Sequence, residues 1–516
     1  MKLQKTNILD CTLRDGGYYT NWDFPEELVQ EYCAAMEESC VDYVEVGYRS
    51  IPMKTYLGKY FYCPISELET LHRLMPSKKL ALILNEKDIR EKDVDFLLKP
   101  CVGLISMVRI AVDPANFERA LVLAKALKLL NFEVAFNVMY MSDWNAESEF
   151  LNHLDKLDDL VDLFYMVDSY GGVMPDQVKQ TIQLIKSKTE VALGFHGHNN
   201  LEMALANTIT AMKEGCQIVD ATLTGMGRGA GNLRTELLLT YLDGIGSIDQ
   251  KFNKLSVAVS SFEKLKAVHK WGSSLPYMFS GAHSLPQKQV MEWVVMNRYP
   301  ISSMLNALSN QKQEVEDNVK LSHMDAGISF DKAVILGGGK SVFEHKDAIK
   351  KLIEKEGSIC LIHAGARNVK TYLDVNKKQY YSLTGSESDK LLKQIGDFSK
   401  ISQTCVYPPF PRKMGTSIPE DIKSLSRELE AITFTKASDD SPFSVSVQVA
   451  LNLKVNQIFL AGFDGYDTTL DQNQFALAKE NQLIINDISA VENVSVQSLT
   501  DTKYKNVEVL SVYSLI

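Results

Sequence analysis

Short apolar runs rich in β-branched and aromatic residues alternate with amphipathic stretches through the first half of the chain. The runs begin at Asn7 (NILDCTL), Tyr43 (YVEVG), Leu80 (LALILN) and Leu104 (LISMVRIAV). They continue at Phe132 (FEVAFNV), Asp162 (DLFYMVD), Glu190 (EVALGFH) and Gln217 (QIVDATLTG). Between them lie segments such as PEELVQEYCAAMEESCV and NLEMALANTITAMKEGC, apolar at helical spacing. Eight such units, about 24 to 37 residues apart, predict parallel βα repeats. Eight is also the number that closes a (β/α)8 TIM barrel, the fold expected for residues 1–245. A doubly wound open sheet shares this periodicity and is the competing fold.

From 246 to 325 the pattern turns helical without clear strands, as in FNKLSVAVSSFEKLKAVHKW, and predicts a helical extension. Strand–helix alternation resumes after Ser329 and runs from KAVILGGGKSVF through SICLIHAGARN to IFLAGFDGYD. This predicts a separate Rossmann-like α/β domain over 326–516. Its ILGGGKS is not a P-loop, because Val334 stands where that motif needs its first glycine. What remains is a strand, the turn Gly337–Gly338–Gly339 and a helix. That arrangement can present backbone N–H groups to a phosphate, or can be an ordinary tight turn. The segment loosely resembles sialyltransferase-like nucleotide-sugar enzymes, which implies a nucleotide or sugar nucleotide as partner.

Composition narrows the class. The 516 residues are 45% hydrophobic and 23% charged, ordinary for a globular protein and too many for one core. A net charge of −10 argues against a nucleic-acid binder. No apolar run approaches the roughly 20 residues of a membrane span. The opening MKLQKTNILDCTL is too short an apolar stretch for a secretory signal and has no cleavage site. Eight scattered cysteines without a CxxC pair fit reduced thiols, so a cytoplasmic location is expected.

The candidate chemistry lies where a barrel places it, at the C-terminal ends of strands. Asp15 is expected to end the first strand, and His196 and His198 the seventh. The eighth leads into TGMGRGAGNLRTE, with Asn232 opening the next helix. Strands one, seven and eight become neighbours on closure. Residues two apart on a strand face the same side, so both imidazoles can address one cation. Two histidines and a carboxylate with positions left open suit a catalytic divalent metal. The plainer alternative is a set of polar strand ends without an ion.

TLRDGG, GFHGHNN and GMGRGAGN resemble, in order and spacing, three signatures of the DRE-TIM metallolyases, the HMG-CoA lyase-like superfamily. The resemblance covers roughly the first 240 residues and is greatest to the 4-hydroxy-2-oxovalerate aldolases. It implies a carbon–carbon lyase of the class II pyruvate aldolase type, acting on a small 2-keto acid and an aldehyde and assembling as a homo-oligomer. It also implies a divalent metal, Mn2+ first, with Mg2+, Co2+ or Zn2+ as alternatives. Asp15, His196 and His198 would bind the metal, with Asn232 as a further ligand, and Arg14 would stabilise an enolate. YVEVGY, MVRIAV and VDSYGGVMPDQV resemble the family's strand ends and bring in Glu45, Arg109, Asp168 and Ser169, with Glu45, Arg109 and Ser169 expected on the substrate side. The chemistry agrees, since cleavage beside a 2-keto acid leaves an enolate whose oxygen needs positive charge. Gly16–Gly17 would then permit the turn and the close approach of ligand.

The pattern also departs from those aldolases. They usually carry a histidine base where this chain has Tyr18. Candidates for moving the proton are Tyr18, a metal-bound water, Tyr277 in LPYMFSGAHS and His283. Arg228 adds a cation in the glycine loop, either binding a phosphate or carboxylate of the aldehyde partner or simply solvated. A Claisen-type synthase would normally read RDG-acid-Gln, and HMG-CoA lyase carries a cysteine in its glycine loop; neither is present. The rivals to an aldolase are such a synthase and a barrel that has lost catalysis and serves as a scaffold.

Overall fold

The computed structural model describes residues 5–516 apart from 297–298, 315–318, 325–326, 413–415, 439 and 467–471. Its chain divides into two compact units, Met1–Met291 and Glu292–Ile516. The first is a closed barrel of eight parallel strands in sequence order. These are β1 (Asn7–Asp10), β2 (Tyr43–Tyr48), β3 (Lys79–Asn85), β4 (Met107–Val112), β5 (Glu133–Val138), β6 (Leu163–Asp168), β7 (Ala192–Gly197) and β8 (Ile218–Ala221). The strands are short and nearly all buried, as expected when helices cover the outside of a parallel sheet. The barrel, not the open sheet, is what the eight units form.

Alternate residues point inward, and the register stacks them in layers drawn from alternate strands. Above a bottom rim of Asn7, Lys79, Glu133 and Ala192, the first layer is Tyr43, Met107, Leu163 and Ile218. Leu9, Ala81, Ala135 and Gly194 come next, and these two layers are apolar. The third layer is not: it holds Glu45, Arg109, Tyr165 and Asp220, all at most 2% exposed. Above it stand Cys11, Ile83, Asn137 and His196, at the mouth. Gly194 serves this stacking, because a Cβ there would meet the Tyr165 ring at 2.6 Å.

The helical segment is shared by the two units. Helices Asn253–His269 and Leu275–Ala282 belong to the first, Ile301–Gln313 to the second, and Gln287–Met296 runs across the division. Leu255, Phe262 and Trp271 join the hydrophobic cluster around the barrel.

The second unit contains β9 (Lys332–Leu336), β10 (Ile359–Ala364), β11 (Gln379–Ser382), β12 (Thr404–Tyr407), β13 (Ser426–Glu428), β14 (Gln457–Ala461), β15 (Ser495–Ser498) and β16 (Glu508–Val509). They form one parallel sheet ordered 13-12-11-10-9-14-15-16, an α/β sheet domain with an apolar cluster on either face. The glycine turn after β9 leads into a helix of four residues, Ser341–Glu344. The Ser341 amide already donates to the Asp464 carboxylate at 3.1 Å, and its hydroxyl binds the same group. The anion at this turn is therefore one of the chain's own side chains.

Candidate active site and metal centre

Asp15 does not end the first strand. β1 stops at Asp10, and Thr12–Asp15 then forms a single helical turn that lifts Arg14 and Asp15 over the mouth. The buried Asp10 carboxylate builds this turn. It accepts from the Thr12 amide (2.9 Å), the Thr12 hydroxyl (2.6 Å), Tyr32 (2.7 Å) and Thr235 (2.5 Å). Thr235 begins the helix after β8, so the same carboxylate ties the two ends of the barrel together.

Gly16 and Gly17 have a different reason from the expected one. Gly16 has φ −65°, open to any residue. A Cβ on Gly16, however, would lie 2.5 Å from Met226 Sδ, and one on Gly17 would lie 2.2 Å from the Trp22 ring. Trp22 in turn donates its indole N–H to the Arg14 carbonyl at 2.8 Å. The glycines thus let the indole and Met226 pack against the turn. Gly17→Ala is expected to destabilise the protein by about 1–3 kcal/mol through overpacking. The check is a urea titration followed by tryptophan fluorescence.

Three of the expected metal ligands converge. Donor atoms of Asp15, His196 and His198 all lie within 4.8 Å of one another, with His196 Nε2 3.7 Å from Asp15 Oδ2. His198 Nδ1 faces the Asp168 carbonyl at 2.7 Å, and His196 Nδ1 faces Asp220 Oδ2 at 2.8 Å. A carbonyl accepts only, so His198 Nδ1 carries its proton and Nε2 keeps the lone pair. Burial and the neighbouring His196 push His198 down to about 4, which keeps the imidazole neutral, as a ligand must be. Burial pushes the Asp15 carboxyl up, but the Arg14 guanidinium, helped by the hydrogen bond from Asn232, outweighs it and holds it below the usual carboxylate range.

Asn232 does not open a helix; the next one starts at Thr235. Asn232 reaches the site from the loop, bridged to His198, and its Nδ2 donates to Asp15 Oδ2 at 2.5 Å. Its Oδ1 is buried without a hydrogen-bond partner. An orphaned oxygen beside a carboxylate and two lone-pair nitrogens is a donor set that a divalent cation satisfies. The charge balance agrees. Asp15, Glu45 and Asp220 face Arg14 and Arg109, so with both imidazoles neutral, as metal ligands must be, the cluster carries one negative charge for a cation to meet.

That cluster is continuous. Arg14 Nη1 contacts Asp15 at 2.5 Å and Arg14 Nε contacts Glu45 at 2.6 Å. Arg109 Nη1 lies 3.2 Å from Glu45 and its Nη2 2.5 Å from Asp220, which holds His196. Arg109 Nε donates to Asn137 at 2.9 Å, and the guanidinium stacks 4.2 Å over the Tyr165 ring. Burial works against the charge on Arg109, but Asp220 and Glu45 raise its pKa above the ordinary value.

A cavity of about 560 Å3 opens over this cluster. Arg14, Asp15, Tyr18, Ser169, His196, His198 and Arg228 line it. Glu45 and Arg109 do not. Expected on the substrate side, they sit fully buried beneath Arg14 because the inward stagger puts them one layer down. Tyr277 is likewise withdrawn: it is buried, hydrogen-bonded to Tyr19 and pushed up to about 12 by burial. His283 packs on Phe279 and is absent from the cavity wall. Tyr18 lies 3.3 Å, hydroxyl to hydroxyl, from Tyr48, and Arg228 lies 5.8 Å from its ring centre. Ser169 accepts from the Tyr140 amide at 2.8 Å. Asp10, Asn137, Tyr165 and Asp220 were not anticipated. For Asp220 the signal was present, a lone carboxylate at an inward position of an otherwise apolar strand.

Comparison with known proteins agrees with this architecture. The HMGL-like family model matches residues 105–262, a stretch that holds His196, His198 and Asn232. The 4-hydroxy-2-oxovalerate aldolase of Geobacillus thermodenitrificans is 30% identical over 243 residues, 46% of this chain and 70% of its own length. The oxaloacetate decarboxylase of Mycobacterium tuberculosis is 26% identical over 242 residues, 47% of this chain and 71% of its own. The crystal structure of the N-terminal domain of a candidate aldolase from Bacteroides vulgatus is 51% identical, with a TM-score of 0.56. That match covers 58% of this chain and 99% of the other. Through its barrel, the chain belongs to the HMGL-like family of carbon–carbon lyases.

Proposed function

We propose that the barrel is a divalent-metal-dependent aldolase that makes or cleaves a 2-keto acid through the enolate of pyruvate. One observation carries this reading: a carboxylate, two imidazoles and a guanidinium meet at the floor of one cavity. Asp15, His196 and His198 would hold the metal, Mn2+ by preference, with Asn232 Oδ1 as a further donor. The bound cation supplies Lewis-acid stabilisation of negative charge as it develops on the enolate oxygen.

The chain's own groups do the rest. Glu45 and Asp15 fix Arg14 through Nε and Nη1, while Nη2 has no hydrogen bond among the described residues. Nη2 is the donor left for a substrate oxygen, and it is held in place before any ligand arrives. Asp220 and the Asp168 carbonyl orient the two imidazoles, which preserves their tautomers. Glu45 and Arg109 act here as positioning residues. In cleavage, the hydroxyl beside the breaking bond gives up its proton, the C–C electron pair passes to the enolate, and carbon then takes a proton. Tyr18 is the hydroxyl at the cavity wall that we assign to this transfer. Ser169 and Arg228 would contact the aldehyde portion.

The test uses the full-length protein, Mn2+ and pyruvate in D2O. Methyl protons of pyruvate should exchange, seen as loss of the proton NMR signal. Chelation should stop the exchange, and added Mn2+ should restore it. Absence of exchange by the metal-loaded protein, or exchange unaffected by chelator, would overturn the assignment.

A further inference from the structure

We infer that the aldehyde handled by this site is polyhydroxylated, an open-chain aldose of four or more carbons rather than a short unsubstituted aldehyde. The inference rests on the aldolase reading above and goes on to name its second substrate. Size is the first observation. Pyruvate and a two-carbon aldehyde together have about nine heavy atoms; at the roughly 30 Å3 a water takes in the liquid, they need about half of what is available. The cavity measures about 560 Å3, in the range that holds ligands several times larger.

The wall opposite the metal ligands says what fills the remainder. Asp15 stands on the turn after β1 and the histidines at the end of β7. Across the barrel, at β3 to β5, Asn85, Asn116 and Asn137 line the same cavity. Asn137 is 4% exposed and its Oδ1 is taken by Arg109. Among the described residues its Nδ2 and that of Asn85 have no hydrogen-bond partner, and the Asn116 side chain makes no hydrogen bond at all. Amides left without partners in a cleft are matched by hydroxyl groups, which both donate and accept. An alkyl chain in the same place would bury those amides unsatisfied.

Beside them Tyr140 and Tyr170 present two rings 5.4 Å apart. Ring faces of this kind take the C–H side of a carbohydrate while the amides take its hydroxyls. Tyr140 holds this place at φ 64°, a left-handed conformation that costs a non-glycine residue about 1–3 kcal/mol. Strain kept at a cavity wall points to use by a ligand. The reaction balances without a further reactant: pyruvate C3 loses a proton and bonds to the aldehyde carbon, whose oxygen gains one.

The test compares aldehydes matched in carbon number: glyceraldehyde with propanal and erythrose with butanal, each with pyruvate and Mn2+. The hydroxylated member should have the higher kcat/KM in each pair. Because an α-hydroxyl also activates the carbonyl, the variants decide. Asn116→Ala and Tyr140→Asn, the latter tolerating the left-handed backbone, should lower kcat/KM for erythrose roughly three- to tenfold. Butanal turnover and pyruvate exchange should stay within about twofold. Equal losses for both aldehydes, or preference for the unsubstituted ones, overturns the inference while exchange continues. Loss of exchange in the unaltered protein would instead remove the aldolase reading and this inference with it.

Discussion

Asp15→Asn is expected to lower metal-dependent turnover by about a thousandfold or more, roughly 4 kcal/mol of transition-state stabilisation. The substitution preserves shape but removes the carboxylate that faces both imidazoles. It also removes one negative charge from beside the imidazoles, so the site attracts a dication less strongly. Two measurements check it together. Metal content after dialysis should fall well below one ion per chain, and the methyl-exchange rate of pyruvate should fall with it. Folding should survive, because Arg14 keeps Glu45 as partner. A variant that retains both metal and exchange would show that the ligand set lies elsewhere.

Arg109→Leu should act on stability rather than directly on chemistry. Arg109 never touches the cavity, yet it is the one cation between Glu45 and Asp220 in the third barrel layer. Removing it leaves the buried Asp220 without a guanidinium and Glu45 with Arg14 alone, and breaking a buried pair from one side costs about 3–5 kcal/mol. Urea unfolding followed by tryptophan fluorescence measures this, since Trp22, Trp144 and Trp271 all pack on the barrel. Combining Arg109→Leu with Glu45→Gln and Asp220→Asn should recover much of the loss, because the neutral amides no longer need a cation. Such a triple variant would regain the fold without regaining turnover, since Asp220 also sets the tautomer of His196. Equal stability of the single variant and the parent protein would mean that the buried charges are not the constraint described.

The barrel was legible because hydrophobic periodicity reports burial, and eight buried runs at similar spacing have few ways to close. His196 and His198 were legible for a related reason: two-residue spacing on a strand fixes a shared face. Asp15 was placed beside the two histidines, where it lies, by a faulty local picture. The sequence suggests a strand end, but Asp10 competes for the Thr12 amide and turns the chain into a helix one residue past β1. Glu45 and Arg109 were legible as polar residues in apolar strands. Their depth was not, because depth depends on the stagger between strands, a property of the closed barrel. Tyr277 illustrates the limit. Its helix, Leu275–Ala282, lies beyond the repeats, and no periodicity tells on which side of the glycine loop a phenol will settle.

The charged third layer constrains how the chain can be made. Glu45 and Arg109 are synthesised early and Asp220 late, and β1 finds its second neighbour only in β8. A nascent chain that has released β1 to β4 holds Arg109 with half of its counter-charge, and its first strand has one open edge. Compaction before residue 220 emerges would bury Arg109 without the Asp220 contact and leave β1 without β8, so the early strands gain little from settling on their own. Closure of this barrel is therefore expected late in synthesis, and the interval before it is when the chain most needs protection from its neighbours.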